Sequence, residues 1–357
     1  MKKILIGLVL LAVVVGGLGY AFRRSLTMAV IPRIAQQRML GTVIDDLPDG
    51  LHVALCGAGS PLPDPVRSGP CVAVLAGDRL FVIDSGTGGS RNLGSMGFRQ
   101  GDIEAILLTH FHSDHIDGLG EMLMQRWVTG SNTLPTPLHG PSGVEKIAAG
   151  FNQAYSQDAA HRTGHHGREI APPSGAGARA VPFELPAEGS GVKIIEDDDL
   201  TVTAFAVDHS PVSPAVGYRF DYKDRSILIS GDTDKSENIV TFGKGVDLFV
   251  HEALDAKLVA LLTQAATNAN QPRLAKITQD ILDYHATPVE VAEMARDAGA
   301  QELLFYHIVP PLLLPTMEEI FVEGVGEVYS GPVSVGKDGT FMSLPAGTKE
   351  ITKKELL

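Results

Sequence analysis

The stretch Thr109-His110-Phe111-His112-Ser113-Asp114-His115 places three imidazoles and a carboxylate within six consecutive residues. Just before it, Ile103 to Leu108 is a β-branched and leucine-rich run of strand length, so the histidines stand where a buried strand ends and the chain turns. In extended backbone, residues i and i+2 point the same way, which lets His110 and His112 address one ion. Asp114 and His115, beyond the turn, then face a second. Imidazole with carboxylate is a ligand set suited to zinc, with iron or manganese possible. A purely structural zinc site fits poorly, because such sites are mostly cysteine-based and the chain has only Cys56 and Cys71, remote from the cluster in sequence. A solvated histidine-rich loop is the bland alternative.

A chain of 357 residues, 44% hydrophobic, can bury a large core, and no internal repeat is evident. One catalytic domain of about 300 residues is expected, somewhat above the usual domain size. The formal net charge of −13 argues against a general polyanion-binding surface and makes nucleic acid an unlikely bulk partner. Lys2 and Lys3 precede an apolar and glycine run, Ile4 to Phe22, closed by Arg23 and Arg24. As a helix this run would be about 28 Å long, close to a bilayer core. Residues 1–24 are therefore expected to be a membrane anchor, or a signal segment if cleaved, and the absence of a small-x-small cleavage site favours the anchor. The flanking charges are balanced and leave the orientation open. The expected placement is a catalytic domain outside the cytoplasm, periplasmic or extracellular, tied to the membrane or secreted. Two cysteines permit one disulfide there without demanding it.

Residues 25–47 read as a connecting arm, 48–345 as the folded domain and 346–357 as a C-terminal tail. The domain opens with a strand at Leu51–Leu55 and the turn-rich Gly57-Ala58-Gly59-Ser60-Pro61. Cys71–Leu75 and Leu80–Ile83 form a hairpin about Gly77-Asp78. It ends at Asp84-Ser85-Gly86, where Asp84 is either a turn former or an acceptor that orients a metal-bound histidine.

The order Phe81-Val82-Ile83-Asp84-Ser85-Gly86, then His110-x-His112-x-Asp114-His115, then later histidines and an aspartate resembles the metallo-β-lactamase superfamily of dinuclear metallohydrolases. Within it the chain looks most like the ribonuclease Z-like branch, which includes some arylsulfatases and phosphodiesterases. The resemblance covers about residues 50 to 312. It implies an α/β (α+β) fold, an αββα sandwich of two mixed sheets flanked by helices, and two zinc ions per chain. It also implies that His209, before Gly217-Tyr218-Arg219, completes the ligands of the first metal with His110 and His112. Asp232 of Gly231-Asp232-Thr233 would bridge both metals, and His307, after Glu302 to Tyr306, would join Asp114 and His115 on the second. Independently of the resemblance, each of these later residues stands at the carboxyl end of an apolar run, where α/β sheets tend to place ligands.

Val250-His251-Glu252-Ala253 and Tyr284-His285-Ala286-Thr287 are similar to the His-Glu-Ala and His-Ser-Thr elements of the ribonuclease Z-like enzymes. By that similarity His285 would protonate the leaving oxygen or stabilise developing charge, and Glu252 would orient it. His251 reads as structural. A helix start follows His285, with Thr287 as N-cap, Pro288 at the first position and Glu290 closing a capping box. True ribonuclease Z enzymes, as the resemblance implies, carry a long transfer-RNA-gripping arm between the equivalents of His209 and Asp232. Here Ser210 to Gly231 leave no room for it, which sets transfer-RNA processing aside at this stage. The stretch from Glu121 to about Val181 is instead long. It holds a helix with Trp127, a strand-turn at Leu138 to Pro141 and a histidine-rich loop with His161, His165 and His166, either a source of substrate contacts or a surface excursion. Ala171 to Gly191 reads as an irregular connector.

The expected chemistry is metal-assisted hydrolysis, with Asp114 also receiving or orienting a water proton and His285 aiding the leaving group. The expected substrate is a small phosphodiester or the chemically adjacent aryl sulfate, with a lactone or β-lactam as the alternative. From another class, a non-catalytic metal-binding protein or a di-iron redox protein would use the same ligands, although no flavin-binding domain is evident. Superfamily members often pair, so a homodimer is possible, but no interface is legible.

Overall fold

The computed structural model describes residues 2–40, 43–45 and 47–357, in two compact units, Met1–Leu47 and Pro48–Leu357. The first unit holds one helix, Lys2–Leu40, which runs on through Arg23, Arg24 and Arg33 with Pro32 inside it. Among the described residues no helix is long and apolar enough to cross a membrane. The expected membrane anchor over 1–24 is corrected accordingly. The arginine pair that was to close an anchor lies inside the helix instead. Residues 25–40 of the expected arm are helical, and positions 41, 42 and 46 of that arm lie outside the described residues.

The second unit contains β1 (Gly50–Gly57), β2 (Cys71–Ala76), β3 (Arg79–Ile83), β4 (Ile103–Leu107), β5 (Thr136–Pro141), β6 (Ala178–Phe183), β7 (Gly191–Glu196) and β8 (Leu200–Ala206). These are followed by β9 (Val216–Tyr222), β10 (Arg225–Ile229), β11 (Leu248–Leu254), β12 (Glu302–Val309), β13 (Val333–Val335), β14 (Thr340–Pro345) and β15 (Thr352–Glu355). Two mixed sheets result. The first runs β15-β14-β1-β2-β3-β4-β5-β6 and the second β13-β12-β11-β10-β9-β8-β7. The residues read as a tail thus add an edge strand, β15, antiparallel to β14.

Period-two alternation explains how the layers are filled. Leu51, Val53 and Leu55 of β1, with Phe81 and Ile83 of β3, pack in one core with Phe220, Ile227, Ile229, Val250 and Leu304 of the other sheet. The opposite face of that second sheet, including Phe249, Leu303 and Phe305, packs with helix residues Ile239, Val291, Ala295 and Phe321. Each sheet therefore buries one face against the other, and the second sheet is covered outside by helices, giving the αββα layering. The β2–β3 hairpin turns at Gly77, whose φ of +63° suits glycine and whose missing Cβ makes way for the Tyr222 hydroxyl. A Cys56–Cys71 disulfide ties β1 to β2.

Two local readings are corrected. The histidine-rich loop is a helix, Ser156–His166, with His161, His165 and His166 exposed on it. The connector read at 171–191 contains β6, paired in parallel with β5. Buried Trp127 lies in the helix Leu119–Gly130 and donates to the Pro172 carbonyl at 2.8 Å, which pins this region to the fold.

Candidate metal centre

Four chain segments deliver the site. After β4 the chain passes through His110, which is fully buried, and half-buried His112. The short helix Ser113–Ile116 then places Asp114 and His115 in its single turn. His209 follows β8, Asp232 follows β10, and His307 lies within β12. The β11–β12 register steps from Glu252↔Tyr306 to Ala253↔Ile308, so His307 is an inserted residue, a bulge, with φ of +44°. Bulges of this kind re-aim a side chain, and a histidine in the left-handed region is strained backbone maintained by its surroundings.

Ligand atoms of His110, His112, His209 and Asp232 lie within 4.8 Å of one another, as do those of Asp114, His115 and His307. Asp232 touches both sets. Its Oδ2 is 3.3 Å from the Nε2 atoms of His115 and His307, 3.9 Å from that of His110 and 4.0 Å from that of His209. All seven residues singled out as ligands are thus brought together. A third grouping of Asp232, His285 and His307 also meets the spacing, so His285 borders the same space.

The donor chemistry fits divalent cations. His110 Nε2, His115 Nε2 and Asp232 Oδ1 are buried without a hydrogen-bond partner among the described residues, an arrangement that costs stability unless another ligand meets those atoms. The opposite ring nitrogens are held by the chain. His115 Nδ1 donates to Asp84 at 2.8 Å, His209 Nδ1 donates to the Tyr284 carbonyl at 2.9 Å, and His110 Nδ1 meets Thr109 Oγ1 at 3.1 Å. That fixes each ring with Nε2 turned toward the cluster. Burial, and then the neighbouring His115, hold His110 well below its ordinary pKa, and burial pushes His209 down to about 4. Both are neutral at pH 7, the form a metal takes.

The open question over Asp84 resolves toward a positioning role. With φ of +57° it accepts from the Thr109 backbone and hydroxyl, both at 2.8 Å, as well as from His115. Replacement by alanine is expected to weaken metal retention by about 10- to 100-fold, the usual effect of removing a carboxylate behind a metal-bound histidine. Competition with a chromogenic chelator reads this directly, and unchanged retention would remove Asp84 from the site.

Beside the ligands, His285 Nδ1 donates to Glu252 Oε1 at 2.8 Å, and the same oxygen accepts the Thr233 amide at 3.1 Å. Burial opposes charge on His285, but the fully buried Glu252 carboxylate prevails and raises its pKa to about 9. The loop is locked because the Ala286 amide donates to the Thr233 carbonyl while the Ala286 carbonyl accepts from Leu254. The expected capping box of Thr287 and Glu290 then opens the helix Pro288–Ala298. His251 turns away, fully buried, with Nδ1 on the Glu252 carbonyl at 2.7 Å.

A slot of 90 Å³ opens over the ligands, walled by His112, Asp114, Asp232, His285, His307, Leu62, Ile277, Ile281, Tyr284 and Val309 among others. The walls Leu62, Ile277 and Ile281 were not anticipated, and no signal in their own sequence marks them. None of the wall residues comes from Glu121–Val181, where substrate contacts were sought.

Residues 64–277 match the metallo-beta-lactamase superfamily. The chain belongs to that superfamily. It is 32% identical over 290 residues to a ribonuclease Z of Mycobacterium bovis, a match covering 81% of this chain and 96% of the relative. A ribonuclease Z of Mycobacterium avium matches to the same extent. Among solved structures, the short form of human tRNase Z superposes with a TM-score of 0.59 at 20% identity, over 82% of this chain and 99% of that one. The fold protein YhfI of Bacillus subtilis superposes with a TM-score of 0.57 at 18% identity, over 82% and 99%. With this family, these relatives and the ligand clusters, the chain is a metal-dependent hydrolase, phosphodiesterase-like in kind. Two expectations are corrected. Relatives named as ribonucleases argue against nucleic acid as an unlikely partner, since the match spans nearly their whole length whatever the space between His209 and Asp232. Nor do those names support a domain held outside the cytoplasm by an anchor.

Proposed function

We propose that this superfamily member hydrolyses phosphodiester bonds at a dinuclear zinc centre held by His110, His112, His209, Asp232, Asp114, His115 and His307. The observation that carries the reading is His285, paired with Glu252 behind it and standing at the wall of the same slot as Asp114 and Asp232. The ribonuclease Z relatives support the choice of bond, because their name denotes cleavage of a phosphodiester chain. Two divalent cations in this shell would lower the pKa of water toward neutrality and neutralise charge building on the ester oxygens.

The chain's own groups do the rest. Asp114 Oδ2, 3.4 Å from His307 Nε2 and 3.6 Å from His115 Nε2, is a carboxylate at the slot wall able to accept a proton from the attacking water. His285 holds a proton at Nδ1 against Glu252 and, being protonated at pH 7, can release one from Nε2 to the leaving oxygen. Leu62, Ile277, Ile281 and Val309 keep the slot apolar around these charges, which strengthens them. Aryl sulfate esters share the tetrahedral, anionic centre and are the next substrate class.

A panel tests the reading: a chromogenic phosphodiester, a precursor transfer RNA, an aryl sulfate, a lactone and a cephalosporin, each with and without chelator. The expected result is turnover of a phosphodiester that chelation abolishes and added zinc restores. Turnover of only the lactone or the lactam would replace the phosphodiester assignment.

A further inference from the structure

Ser60 stands where two cavities meet. One is the 90 Å³ slot over the ligands; the other is a cavity of 550 Å³ lined by Ser68, Thr87, Asn92 and Asp117 among others, and Ser60 and Asp114 belong to the walls of both. The residue is 7% exposed, and its hydroxyl is buried without a hydrogen-bond partner among the described residues. Unpaired buried hydroxyls are uncommon because burial removes their water and leaves nothing in exchange.

The unpaired atoms of His110, His115 and Asp232 belong to residues proposed as ligands, whereas a serine hydroxyl has no place among those histidines and aspartates. The backbone before Ser60 is clamped, which holds the residue at this wall. Gly59 bridges to Ile308, the Ile308 amide donates to the Ala58 carbonyl at 3.0 Å, and the Gly59 amide donates to the Ser68 carbonyl at 2.8 Å. A Cβ on Gly59 would come within 2.8 Å of the Arg67 carbonyl. The backbone leading into Ser60 is therefore registered to Ile308, the strand residue that follows His307.

We propose that Ser60 contacts the substrate, its hydroxyl donating a hydrogen bond to a non-bridging oxygen of the tetrahedral centre that reacts beside Asp114. For the identity of that centre the inference rests on the phosphodiester reading above. A donor already at the wall before substrate arrives needs little reorganisation as negative charge grows on the oxygen it faces.

The test uses the full chain loaded with zinc, as wild type, Ser60→Ala and Ser60→Cys, with metal content and melting temperature measured for each. Calorimetric titration with inorganic phosphate reads binding of a tetrahedral oxyanion without turnover. In Ser60→Ala the affinity is expected to fall about tenfold, the weight of one hydrogen bond to a charged acceptor. On bis(p-nitrophenyl) phosphate, kcat/KM is expected to fall by about 10²-fold with metal content unchanged, and Ser60→Cys should lie between. Phosphate binding in Ser60→Ala equal to wild type overturns the proposal, as does absence of phosphate binding by the loaded wild type. If no diester is turned over by the wild type yet Ser60→Ala still loses phosphate affinity, the role of Ser60 stands and the phosphodiester reading falls. Diester turnover that Ser60→Ala leaves untouched, with unchanged phosphate binding, means the reverse.

Discussion

Replacement of Asp232 by alanine is expected to empty the metal centre and to lower turnover by on the order of 10³-fold or more. Asp232 is the carboxylate whose single oxygen comes within 4.0 Å of nitrogens from both ligand groups, so it has no substitute. Without it, His115 and His307 lose the negative charge they share, and imidazoles crowd one another at ring-centroid distances of 4.1 to 5.2 Å. Asp232→Asn keeps the shape and removes the charge, so it should fail nearly as badly. Elemental analysis of purified protein and the rate on a chromogenic diester measure both effects. Full metal content with near-normal turnover in either variant would mean that Asp232 is not the bridge.

The second large effect is expected at His285. Alanine there should leave the metal content intact and reduce kcat by about 10²- to 10⁴-fold, the range for loss of a general acid. The defect should depend on the leaving group. A p-nitrophenolate departs with little help, whereas an alkoxide needs a proton, so the loss should grow steeply from aryl to alkyl diesters. Glu252→Gln should follow the same trend more weakly, because it leaves the imidazole in place but removes the carboxylate that keeps it charged. The spacing of Asp232, His285 and His307 makes the opposing result concrete. Loss of metal from His285→Ala would make this residue a ligand, and the acid would have to be sought elsewhere.

Much of this was legible because the informative residues are contiguous or sit at strand ends. The run from His110 to His115 announced a metal site by ligand density, and the capping box at Thr287 and Glu290 fixed a helix start from four residues. What escaped notice depends on partners distant in sequence. Helix Ser156–His166 is polar with no buried residue, so no apolar periodicity marked it. Strand β6 has only one fully buried position and exists because β5, some forty residues earlier, offers it an edge. The bulge at His307 cannot be counted from alternation alone, since an inserted residue shows only against the strand beside it. The helix through Leu40 continued past an arginine pair read as a boundary. Ser60 looked like a turn residue, and only its burial distinguishes it.

The seven residues proposed as ligands come from both sheets. His110, His112, Asp114 and His115 follow β4 of one sheet, while His209 and Asp232 follow β8 and β10 of the other and His307 lies within its β12. An ion held between them would be a cross-link that exists only in the folded chain, so occupancy and resistance to unfolding would be thermodynamically linked. Starving the protein of metal would both silence its chemistry and unstitch the seam between its two halves.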